Sequence, residues 1–127
     1  MKTPERFTFT ARLRSFYYAW SGIRKLFWAE HNMRIHLACA VVAIIVGAAL
    51  KISIHDWIII TGCIAGVFIA EAFNTAIEKL CNVVHPERHP GIGSVKDISA
   101  AAVLIAAVAA FITGMLVFLP YLAAIFR

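Results

Sequence analysis

The stretch "WIIITGCIAGVFIA", Trp57–Ala70, carries no charge and runs directly into "EAFNTAIEK", Glu71–Lys79. The apolar part is fourteen residues long, too short to cross a membrane, which takes roughly 20 residues in a helix. If the helix continues through Glu71 and Glu78 to about Val84, it spans easily. Glu71, Asn74 and Glu78 are then spaced i, i+3, i+7 and fall within about 60° on one helix face. Glu71 lies about 10 Å deeper than Glu78 along the axis. An ionisable side chain at such depth is costly and marks a functional site by default. The plainer reading of Glu71 is a neutral buried carboxyl bonded across helices; that of Glu78 is an interfacial charge.

The rest of the 127-residue chain supports a membrane setting. Hydrophobic residues make up 61% and charged residues only 15%, against about 25% charged in an ordinary soluble domain. A single small water-soluble fold has too much surface to hide so much apolar material. The net charge is +5. Lys2, Arg6, Arg12, Arg14, Arg24, Lys25 and Arg34 cluster before residue 35. Aromatic residues are interleaved among them at helical spacing, which suits a membrane-facing basic helix rather than a nucleic-acid surface. Cys39, Cys63 and Cys81 are odd in number and form no C-x-x-C pair. They imply no disulfide framework and read as small buried hydrophobes. The first long apolar run starts near Ile35, so no cleavable signal peptide is expected.

Four helices follow from the pattern. In residues 5–30, Leu13, Phe16, Tyr17, Trp20, Ile23 and Phe27 recur at three- and four-residue steps and make one apolar face. With Arg12, Arg14, Arg24 and Lys25 beside it, this is an amphipathic helix for the membrane interface, or one packed on the other helices. Spans are expected over 33–52, 56–84 and 95–119. Two prolines and two glycines make "HPERHPGIGS", His85–Ser94, a loop. Ser94 with Asp97 three residues on reads as a capping box opening the last span. Ala102, Ala106, Ala110 and Gly114 form a stripe for close helix packing. The expected architecture is an all-α integral membrane protein of one domain, 1–127, with an interfacial helix and three transmembrane helices. Basic residues concentrate in the N-terminal segment and the 79–96 region, so the N-terminus and the 85–95 loop are expected on the cytoplasmic side.

Polar groups gather at that face. Hard carboxylate oxygens of Glu30 and Glu78 suit magnesium with phosphate oxygens. Lys96 and Arg88 suit phosphates, and the last helix's N-terminus is a further anion site. Asp97, Asn82, Glu87 and His89 lie close by in sequence. Glu71 could take a proton from a hydroxyl presented in the lipid layer. This combination describes phosphoryl transfer at a membrane surface. No Walker motif or protein-kinase signature is present, and the five histidines lack a zinc spacing.

The "EAFNTAIE" core, "VKDISAAAVL" and "SFYYAWSGIRKLFWAEHNMRIH" resemble the bacterial diacylglycerol kinase family, small membrane kinases that include undecaprenol kinases. The resemblance covers roughly residues 6–115. It implies a homotrimer with shared active sites in the bacterial cytoplasmic (inner) membrane, using ATP and Mg2+ to phosphorylate diacylglycerol or undecaprenol. By match, Glu71 is the general base and Asn74 positions the reacting groups. Glu30 and Glu78 hold magnesium with ATP, Lys96 and Asp97 contact the nucleotide, and Glu87, Arg88 and His89 form the loop over it. Tyr18 matches a tyrosine near the phosphates. The N-terminal arginine of the site falls on Arg12 or Arg14, with Arg12 favoured. Asn82 stands where many relatives carry Asp, which removes a charge near the nucleotide.

Rival readings are a small oligomeric channel or proton-coupled transporter with Glu71 as relay, and a non-catalytic assembly protein packed through the alanine stripe. Neither explains why Glu30, Glu78, Lys96 and Asp97 gather at one face.

Overall fold

The computed structural model describes residues 8–125, and these form four helices: α1 (Phe9–Ala29), α2 (His31–Leu50), α3 (Ile54–Val84) and α4 (Pro90–Ile125). The expected start of the surface helix at residue 5, and the basic residues Lys2, Arg6 and Arg127, lie outside the described residues. α2, α3 and α4 are each long and apolar enough to cross a membrane. The chain is an all-α integral membrane protein. α3 is 31 residues long, roughly 46 Å, and so reaches well past a hydrocarbon layer of about 30 Å.

Thr8 caps α1 by accepting from the Ala11 N–H at 3.3 Å. The helix leaves Leu13, Phe16, Tyr17, Trp20 and Ile23 exposed, as an interfacial helix does. Near its end Phe27 meets Phe68 of α3 edge-on at 5.7 Å. Glu30 is a single extended residue between α1 and α2. Arg34 holds that break by donating to the carbonyls of Phe27, at 3.4 Å, and Trp28. A guanidinium there satisfies carbonyls that have no partner within α1.

The turn between α2 and α3 is tightly specified. The Ile52 N–H donates to Gly47 O and the Lys51 N–H to Ala48 O, both at 3.2 Å. This is a Schellman end with Lys51 in the left-handed region at φ 52°. Gly47 is required by packing: a Cβ there would stand 3.0 Å from Trp57 Cη2 and 3.1 Å from Ile52 Cδ1. Ser53 then caps α3. Its Oγ accepts from the Asp56 N–H at 3.1 Å and donates to Asp56 Oδ2 at 2.7 Å. The hydrophobic core sits at this end, with Ile52, Ile60 and Val117 packed among Trp57, Phe118 and Tyr121.

α3 and α4 form the most extensive pairing in the fold. The buried side of α4 includes Ser99, Val103 and Val117, with Ala106, Ala110 and Gly114 half-buried along it. Ala102, the first member of the expected stripe, is exposed. The cysteines are all free, but only Cys81 is buried; Cys63 is half-buried and Cys39 exposed.

The start of α4 corrects the expectation for Ser94. The helix opens at Pro90, and Ser94 lies inside it, so Ser94 and Asp97 are not a cap. His89 does the capping: its Nδ1 accepts from the Gly91 N–H at 3.1 Å and its carbonyl from the Gly93 N–H at 3.0 Å. Proline is favoured at a first helical position, because its missing N–H would have no partner there. At the other end α4 continues through Pro120 to Ile125.

Candidate functional site

The site grows from the α3 face that Glu71, Asn74 and Glu78 share. Glu71 is 2% exposed, and its Oε2 has no hydrogen-bond partner among the described residues. A buried polar atom without a partner costs free energy, so the position needs an explanation beyond stability. Asn74 is also buried. Its Nδ2 points to Glu78 Oε1 at 3.5 Å, and its Oδ1 accepts from Ser99 Oγ at 2.7 Å. Glu78 itself is half-buried. These three groups step from the apolar interior of α3 toward its end.

Two further contacts frame that end. Lys79 Nζ meets Glu30 Oε1 at 2.8 Å, which pins the α1–α2 break to α3. Lys96 Nζ donates to Asn82 Oδ1 at 2.6 Å. A neutral amide there leaves the full positive charge on Lys96, where an aspartate would neutralise it. Asp97 is exposed beside Lys96. Next to them the α3–α4 connection surrounds an open hollow of about 490 Å³, lined among others by Glu87, Arg88, His89 and Lys96. Loop residues and Lys96, read separately in the sequence, thus line one space. His89 has a structural duty as well, since it caps α4. Tyr18 is 64% exposed and packs edge-on against Tyr17 at 5.9 Å. Arg12 is likewise exposed. Both stand on α1 ahead of Phe27, which meets Phe68 of α3.

The family model for prokaryotic diacylglycerol kinase matches residues 17–118. The chain belongs to the prokaryotic diacylglycerol kinase family. It is 38% identical over 109 residues to the undecaprenol kinase of Bacillus subtilis, a match spanning 86% of this chain and 89% of that one. It is 34% identical over 111 residues to a diacylglycerol kinase of Synechocystis sp., covering 85% of this chain and 62% of the relative. Against the diacylglycerol kinase of Escherichia coli K12 the identity is 30% over 105 residues, covering 83% and 86%. Membership makes the chain a lipid kinase and replaces the channel and assembly readings.

Within this diacylglycerol kinase fold two residues join the site that the sequence did not point to. Ser99 is buried against Asn74, yet in "DISAAAV" it reads as one more small residue of a packing stripe. His36 lies on α2 between the buried Met33 and Ala40, and with Glu30 and Glu78 it is within electrostatic reach of Glu71. The signal for His36 was available: Met33, His36 and Ala40 repeat the i, i+3, i+7 spacing of Glu71, Asn74 and Glu78. It becomes meaningful only once α2 and α3 are known to face each other there.

Proposed function

We propose that this chain transfers the γ-phosphate of ATP to the primary hydroxyl of a membrane lipid, undecaprenol or diacylglycerol, at the cytoplasmic edge of the bacterial inner membrane. The observation that carries the reading is Glu71, buried in a membrane helix with Oε2 unpartnered among the described residues. A carboxylate so placed has an oxygen ready for the proton of a hydroxyl arriving from the lipid side. The greater identity to the undecaprenol kinase, 38% against 30% for the Escherichia coli diacylglycerol kinase, favours undecaprenol as acceptor.

The residues present fit a magnesium nucleotide. Glu30 and Glu78 offer hard oxygens, the donor type magnesium prefers, and both are half-buried, Glu78 on α3 and Glu30 in the α1–α2 break that Lys79 of α3 holds. Lys96, Arg88 and His89 line a hollow open to solvent, with Glu87 in the same loop and Asp97 exposed beside Lys96. Bound there, magnesium–ATP would supply the phosphoryl group and neutralise its charge. Glu71 Oε2 would take the hydroxyl proton as the lipid oxygen bonds to the γ-phosphorus and the bond to the β–γ bridging oxygen breaks, with ADP leaving. Asn74, between Glu71 and Glu78, orients the polar groups on either side. Burial of Glu71 keeps water from competing with the lipid as acceptor.

A homotrimer with shared sites belongs to the same proposal. It is supported by Tyr18, which stands exposed on the aromatic face of α1 where another chain could receive it. The basic N-terminal segment and the 85–95 region on the cytoplasmic side follow from the distribution of Lys and Arg. The test is direct. Purified protein is assayed with ATP, magnesium and each lipid in turn. Phosphate transfer to undecaprenol exceeding that to diacylglycerol supports the assignment; ATP-independent ion flux without phosphorylation overturns it.

A further inference from the structure

Ser99 sits 2.7 Å from Asn74 Oδ1 and 2.8 Å from the Lys96 carbonyl, with one hydroxyl proton to give. Asn74 has a carboxylate on its other side, Glu78 Oε1 at 3.5 Å. A carboxylate only accepts, so it selects the orientation in which the Asn74 NH2 faces Glu78. That orientation turns the Asn74 carbonyl oxygen toward Ser99, which must then donate. The reverse orientation would set two acceptors face to face beside a buried amide, and Ser99 would have to receive from the NH2. The Ser99 proton and the Asn74 amide are therefore locked together, and with them the hydrogen-bonding side of Glu78. The lock crosses helices: Ser99 is on α4, Asn74 and Glu78 on α3. Lys96, one turn before Ser99, is tied across to Asn82 in the same way.

We propose that Ser99 is a positioning residue, fixing the Asn74 amide so that its NH2 faces the Glu78 carboxylate. The inference rests on the functional reading above only in what Glu78 does, not in how Asn74 is held. Without the Ser99 hydroxyl the Asn74 carbonyl loses its donor and the amide is held only by its 3.5 Å contact with Glu78, so Glu78 loses a fixed neighbour. Its oxygens are then no longer preset for a cation.

The experiment uses full-length protein in detergent micelles, as wild type, Ser99→Ala, Ser99→Thr, Asn74→Ala and the Ser99→Ala/Asn74→Ala pair. With asparagine labelled by 15N, the Asn74 side-chain amide signals are assigned by their loss in Asn74→Ala. They are expected to shift in Ser99→Ala and to stay close to wild type in Ser99→Thr, which keeps the hydroxyl. Unmoved Asn74 signals in Ser99→Ala overturn the proposal. In lipid phosphorylation, Ser99→Ala is expected to raise the magnesium concentration for half-maximal rate about three- to ten-fold, the scale of one lost hydrogen bond. The KM for lipid should not change. In the Asn74→Ala background the same substitution should add nothing, because coupled residues are non-additive. Additive losses would mean that Ser99 only packs, and would overturn the proposal too. A wild type that phosphorylates no lipid breaks the functional reading, while the Asn74 signals still decide the role of Ser99.

Discussion

At the turn between α2 and α3, Ser53, Asp56 and Tyr121 bond one another. Tyr121 donates to Asp56 Oδ2 at 2.6 Å and accepts from the Ser53 N–H at 3.0 Å, and Ser53 completes the ring through its own contacts to Asp56. The main hydrophobic cluster and the close Gly47–Trp57 approach lie at this same end. Toward the opposite end of α3, Glu71 keeps a buried oxygen with no partner among the described residues, Asn74 reaches Glu78 only at 3.5 Å, and Lys96 rests on a neutral amide. Asp56 and Glu78 are separated by roughly 33 Å along the helix, close to the thickness of a hydrocarbon layer. One end of the bundle closes its polar groups on themselves and holds the helices together. The other leaves polar capacity for something that arrives. Polar residues in a membrane protein are thus informative by whether they are satisfied, not by their presence.

That contrast can be broken most decisively at Glu71. Glu71→Gln keeps shape and removes the proton acceptor. Lipid phosphorylation should fall about 10²–10⁴-fold, the range for loss of a general base, with thermal stability in micelles unchanged. Radiolabelled phosphate transfer and a melting curve read the two quantities; full activity would put Glu71 among merely buried residues. Gly47→Val tests the opposite end. Overpacking against Trp57 should destabilise the fold by about 1–3 kcal/mol, seen as a lower midpoint in thermal unfolding, while the KM for nucleotide in the remaining folded protein stays put. Tyr121→Phe removes the hydroxyl that joins α4 to the α2–α3 turn. It should lower the melting temperature by a few degrees and leave kcat unaltered; a loss of kcat without a loss of stability would contradict the division between the ends. The smallest effect is expected at Asn82→Asp. A charge partner for Lys96 should weaken nucleotide binding roughly two- to five-fold, in keeping with the modest strength of exposed ion pairs, and added salt should reduce the difference.

Two copies of one local pattern show how far sequence reading goes. "SIHD", Ser53–Asp56, and "SVKD", Ser94–Asp97, both carry S-x-x-D. In the first, Ser53 caps α3 by accepting from the Asp56 N–H, and the second lies within α4. Nothing in the four residues distinguishes them. The difference is upstream: a Schellman end closes α2 just before Ser53, whereas Pro90, with His89 behind it, starts α4 well ahead of Ser94. Prolines and glycines in residues 85–94 read as breakers, but Pro90 stands at the first helical position, where a missing N–H costs no intrahelical bond.

The sequence by itself determined the helical class, the three spans, the exposed aromatic face of α1 and the shared face of Glu71, Asn74 and Glu78. These follow from composition and from 3.6-residue periodicity, which are local properties of the chain. The resemblance carried by "EAFNTAIE" and "VKDISAAAVL" reached the family as well. Only the tertiary structure decided that Ser99 bonds Asn74, that Lys96 lies against Asn82, and that Tyr121 closes on Asp56. Each is a contact between helices. Its existence depends on how far one helix is slid and turned against another, a quantity that no single helix's periodicity contains.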